Sequence, residues 1–118
     1  MKTEPYTLVK ANRDQYQVLD KDGRSLCYNW VSLPEAKQTI VAHKLQDKAL
    51  SDERLLKIVE SVTSLTGDWC RNWLYEVLIR TDIPDMRAFI KKPSVFRAKA
   101  IEIHKQNVEA RLNSIKNV

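Results

Sequence analysis

Five cations, Arg87, Lys91, Lys92, Arg97 and Lys99, fall in a stretch of thirteen residues that contains no carboxylate. Residues of this type at this spacing suit an anion, either phosphate or the acidic side chains of another protein. Pro93-Ser94, in their midst, reads as a helix start, and such an end carries unpaired backbone N–H groups that favour negative charge. The stretch belongs to a wider asymmetry. Residues 1–85 carry 12 Lys/Arg against 13 Asp/Glu, whereas residues 86–118 carry 8 against Glu102 and Glu109. The net charge of +5 therefore arises entirely in the last part of the chain.

The other residue types able to do chemistry are few and scattered. His43, His104, Cys27 and Cys70 form no closely spaced ligand pair of the kind a zinc site uses. Both cysteines read as reduced and partly buried. Asp20 and Asp22 resemble the opening of a calcium loop, but Gly23 comes too early and the distal Glu is missing, so turn chemistry accounts for them. Only two glycines are present, too few for a Gly-rich phosphate loop, and nothing marks a nucleophile–His–acid triad. The sequence thus assigns no catalytic residue, no metal and no cofactor.

The elements that position these groups follow from periodicity and turn signals. At 118 residues and 43% hydrophobic, the chain has the size of one domain, 1–118, able to bury a core without staples. No apolar stretch of signal-peptide length opens it and no run is long enough to span a membrane, so the expectation is a soluble, cytoplasmic protein without a membrane partner. Tyr6 to Val9, Tyr16 to Leu19 and Ser25 to Trp30 read as a three-stranded antiparallel meander over about 5–31, its last turn closed by Gly23. Alternation places Tyr6, Leu8, Tyr16, Val18, Leu26, Tyr28 and Trp30 on the inner face.

From Ser32 the pattern is helical through 118. Ser32-Leu33-Pro34-Glu35 is a capping box leading into a helix to about Gln46. Ser51-Asp52-Glu53 starts a cleanly amphipathic helix that ends near Thr66-Gly67. Asp68 begins a helix to about Thr81, so apolar around its circumference, with Trp69 and Trp73 at core spacing, that it should lie centrally. This pair reads as an αα-hairpin better than as a DNA-reading helix-turn-helix, because Asp68 and Glu76 occupy positions where apolar contacts are wanted. Asp82 caps a short helix to about Lys91, and Pro93-Ser94 opens a long one to about Lys116. Strands followed by helices define an α+β class, a meander backed by a helical bundle with a long C-terminal helix.

On that long helix the apolar arc is roughly 200° wide, too wide for a helix resting on one surface. One flank holds Ile101, Val108, Leu112 and Ile115, the other Phe96, Ala100, Ile103 and Ala110, and His104 and Arg111 lie inside the arc. Either the helix is clasped on two sides within its own fold, or His104, Val108, Arg111, Leu112 and Ile115 meet a second chain. On its solvent side Lys105 stands between Glu102 and Glu109 at salt-bridge spacing, so this half is no clean phosphate stripe. Two expectations for function result, both of non-enzymatic binding or regulation. The first is a small protein touching DNA or RNA phosphates through Arg87, Lys91, Lys92, Arg97 and Lys99. The second is an adaptor or inhibitor that recognises an acidic protein surface through the five long-helix residues, with a homodimer as a further form.

Overall fold

The computed structural model describes residues 5–27 and 29–116, Lys116 by its backbone alone. It is α+β: β1 (Thr7–Lys10) and β2 (Tyr16–Leu19), then α1 (Leu33–Leu50), α2 (Glu53–Thr63), α3 (Gly67–Leu78), α4 (Ile83–Lys91) and α5 (Pro93–Lys116). The chain divides into two compact units, Met1–Lys44 and Leu45–Val118, with the boundary inside α1.

In the first unit β1 and β2 pair antiparallel, with Thr7 opposite Leu19 and Lys10 opposite Tyr16. The expected third strand is absent, and register explains why. Among the described residues of 25–31, ladder pairing with β2 is limited to isolated bridges, Leu19 with Ser25 and Tyr16 with Val31. Between these bridges β2 advances three residues and the opposing segment six, so the two runs fall out of step and one ladder does not join them. Ser25 bridges the two runs, its Oγ lying 2.9 Å from the Cys27 carbonyl oxygen and within hydrogen-bond reach of the Gln17 side chain. Loss of alternation also overturns one face assignment: Trp30 is 45% exposed instead of inward. Tyr28, expected beside it, lies outside the described residues. Tyr6 and Val18 do face the core, with Ala36 and Ile40 of α1, and Leu8, Tyr16, Leu26 and Val31 pack partly buried around them. The turn after β2 has the expected chemistry. Asp20 Oδ1 accepts from the backbone of Asp22 and Arg24, and Gly23 takes φ +82°.

Helix starts follow local capping. Ser32 Oγ accepts from Glu35 N (3.3 Å), Asp52 from Arg54 N (3.0 Å) and Asp82 from Asp85 N (3.0 Å). α1 runs four residues past its expected end, since no breaker precedes Ser51 and Ala49 is buried in the last turn. α2 stops sooner than expected because Ser64 adopts the left-handed conformation (φ 65°) and its N–H closes onto Glu60 O.

In the second unit α2 packs against α3 and α5, and α4 against α5. Leu55, Val59, Leu74, Leu78, Met86 and Phe96 are the largest fully buried side chains, and Phe89 meets Phe96 edge-on at 5.2 Å. α3 is not central, contrary to expectation. It buries one face through Cys70, Leu74, Val77 and Leu78, while Trp69 is 73% exposed and Tyr75 and Ile79 are also at the surface. The wide apolar arc of α5 divides in the same way. Phe96 and Ala100 are fully buried, but Ile101, Val108, Leu112 and Ile115 are 51%, 44%, 50% and 65% exposed. Every side chain from Lys105 to Ile115 is exposed, a length of about 16 Å of helix at 1.5 Å per residue. Among the described residues no helix is long and apolar enough to cross a membrane.

Candidate functional site

The five cations of residues 87–99 are all exposed, but they do not share one face. Arg87 and Lys91 stand one turn apart on α4, and Lys92 caps that helix. Arg97 and Lys99, two residues apart on α5, point about 160° away from one another. Lys99 lies 3.8 Å from Glu102. The start of α5 is a reduced anion site: Pro93 has no N–H, and the Val95 N–H is taken by Lys92 O at 2.9 Å.

One further cation joins this region, and sequence reasoning passed over it. Arg54 Nη2 donates to Ile90 O (2.9 Å) and to Asp52 Oδ2 (2.7 Å), while its Nε reaches Asp52 Oδ1 (3.0 Å). The guanidinium thus ties the start of α2 to the last turn of α4. It also holds the Asp52 carboxyl below the usual carboxylate range, against a smaller opposing effect of burial. No sequence signal marked this contact, because Arg54 and Ile90 lie 36 residues apart.

The long-helix residues behave differently. His104, Val108, Arg111, Leu112 and Ile115 all line one groove of about 490 Å³, walled on its far side by Thr63, Leu65 and Trp73. Local structure places that wall. The left-handed Ser64 ends α2, the Thr63 hydroxyl donates to Val59 O (2.7 Å) and accepts from Leu65 N (3.2 Å), and Leu65 is thereby presented outside the helix. Trp73 follows from α3 and stays half-buried. Past Leu65, Trp73 and Asn107 the groove continues as a second depression of about 620 Å³, lined also by Trp69, Glu76, Arg80, Lys99 and Ile103. The wall residues were missed because helical periodicity treats Leu65 and Trp73 as core. The one available clue was that Leu65 sits in the Ser64–Gly67 break.

The groove is mostly apolar. Its α5 side is a row of aliphatic carbons, and the 490 Å³ part is lined by no carboxylate. His104 therefore has no acid beside it in the lining, and the Thr63 hydroxyl is engaged with backbone. Arg111 makes no ion pair among the described residues. Elsewhere, Cys70 is buried with its thiol donating to Leu56 O at 3.2 Å, and burial, with Glu60 nearby, pushes that thiol up. Among the described residues no three of His, Cys, Asp and Glu gather as a metal-ligand set. No protein-family model, curated protein or solved structure matches the chain.

Proposed function

We propose that this chain is a non-enzymatic protein-binding module that seats a helix of a partner protein in the groove between α5 and the α2–α3 turn. One observation carries the reading: Val108, Leu112 and Ile115 form an exposed aliphatic row along a groove walled by Leu65 and Trp73. Contiguous exposed apolar surface of this kind marks interaction sites. A helix in a groove buries such a row through anchors at i, i+3 or i+4, and i+7. Completing the burial of three half-exposed aliphatic side chains is worth roughly 1 kcal/mol each, which favours a modest, reversible association once the cost of ordering two molecules is met.

The test is selection of binders from a displayed library of helical peptides whose apolar face is fixed, with short duplex DNA and RNA run beside it. The wild-type chain is expected to enrich peptides that the Leu112→Glu variant no longer retains. Failure to enrich any peptide, or equal retention by the variant, would overturn the reading. Binding of DNA or RNA that weakens with salt and depends on Arg87, Lys91 and Lys92 would favour the nucleic-acid reading instead.

A further inference from the structure

The 490 Å³ part of the groove is lined mostly by apolar side chains, and its titratable lining residues, His104 and Arg111, are both basic, whereas Glu76 lies in the depression beyond it; this one-sidedness specifies an occupant. Arg111 and His104 lie seven residues apart on α5, separated by about 20° around the axis and about 10.5 Å along it. Both line the same 490 Å³ groove, which has no carboxylate in its lining, and Arg111 has no ion-pair partner among the described residues. An unpaired guanidinium at the margin of an apolar groove is a specificity element, because it rewards a partner carboxylate and penalises a cation.

Resting on the docking reading above, we infer that the occupant is an acidic amphipathic helix. Its apolar side chains meet Val108, Leu112 and Ile115, and two carboxylates seven residues apart at the edge of that stripe face His104 and Arg111. The seven-residue spacing follows because two helices packed nearly parallel or antiparallel keep the same rise per turn, so groups about 10.5 Å apart on one match groups about 10.5 Å apart on the other.

A second copy of the chain is the obvious competitor, since the exposed row has the three–four spacing of a helix-pairing seam. Charge decides against it. α5 carries Arg97, Lys99, Lys105, Arg111 and Lys116 against Glu102 and Glu109. An antiparallel pair symmetric about Ala110, which faces Val108 with Leu112, sets Arg111 opposite Glu109 but His104 opposite Lys116, and a parallel pair sets each cation beside itself. Neither arrangement gives both His104 and Arg111 a carboxylate. A helix edged with Asp or Glu faces both with carboxylates, which the lining of the 490 Å³ part does not contain.

The experiment opens the edge positions of the peptide library to Asp, Glu, Lys, Arg and Ser and sequences the enriched pool. The best peptide is then titrated against the full chain by fluorescence anisotropy. The expected pool carries Asp or Glu at two edge positions seven apart. Arg111→Glu should weaken the acidic peptide by at least about tenfold, and a peptide with Lys at the facing position should recover binding to that variant. Enriched peptides with no charge bias, or with a basic edge, overturn the acidic occupant while leaving the groove reading intact. No enrichment from a chain that sediments as a monomer overturns both. A dimer that sediments as such and is broken by both Leu112→Glu and Ile115→Glu makes a second copy the occupant and likewise overturns the inference. Circular dichroism of each variant separates loss of binding from loss of fold.

Discussion

Replacing Leu112 by Ala tests whether the exposed row of α5 is truly unburied in the free protein. Fully burying a leucine side chain is worth about 1.5–3 kcal/mol, and Leu112 keeps 50% of its surface in solvent, so truncation forfeits at most about 1.5 kcal/mol. Alanine is also the better helix former, which returns a few tenths of that amount. The predicted loss is thus below about 1.5 kcal/mol. Leu74→Ala is the matched control. It removes a side chain with no exposed surface and should cost about 2–5 kcal/mol, because a cavity remains. The assay is urea unfolding followed by circular dichroism, run at two protein concentrations a factor of about ten apart. A Leu112→Ala loss equal to that of Leu74→Ala would refute the reasoning. So would a wild-type midpoint that rises with concentration, since both outcomes mean that the row is already covered by another copy.

Other consequences are more local. Gly67 has φ +58° with open space around its Cα, so Gly67→Ala is strained by backbone alone and should lower stability by about 1–2 kcal/mol in the same assay. Asp52→Asn keeps the cap on α2 and loses the charge facing Arg54, whereas Asp52→Ala loses both; urea midpoints should fall in the order wild type, Asn, Ala, the cap alone being worth about 1 kcal/mol. Because the folded Asp52 carboxyl lies below its unfolded value of about 3.9, its contribution is complete above that pH and is lost as pH falls through the lower folded value. Acid unfolding of Asp52→Asn should therefore show a weaker pH dependence than wild type below about pH 4. Cys70, buried and with its thiol pushed up, should react with iodoacetamide only on unfolding, while the half-buried Cys27 is modified first in the native chain; mass spectrometry of digested samples reads the order.

What the sequence made legible was governed by neighbouring residues. Ser32, Asp52 and Asp82 announce their helices because a cap is a contact between positions two or three apart, and the Asp20–Gly23 turn is equally local. The third strand was not legible, since Ser25 to Trp30 has acceptable alternation and only the bridges with β2, three residues apart on one side and six on the other, show the mismatch in register. Trp69 misled for a related reason: helical spacing says which residues share a face but not whether another element covers it, and α3 leaves that face open. On α5 the over-wide apolar arc did mark something real in the amino acids, two apolar flanks, of which Phe96 and Ala100 are buried and the row ending at Ile115 is not. The opposite wall was invisible, because Leu65 and Trp73 reach the groove only through the left-handed turn at Ser64.

The central claim, that this groove receives a helix, is tested most directly by nuclear magnetic resonance of the full chain titrated with the best enriched acidic peptide. Saturable shifts confined to the methyl groups of Leu65, Val108, Leu112 and Ile115 and to the indole of Trp73 are the predicted result. Shifts gathered instead at Arg87, Lys91, Lys92 and Arg97, with these five side chains unmoved, would contradict it.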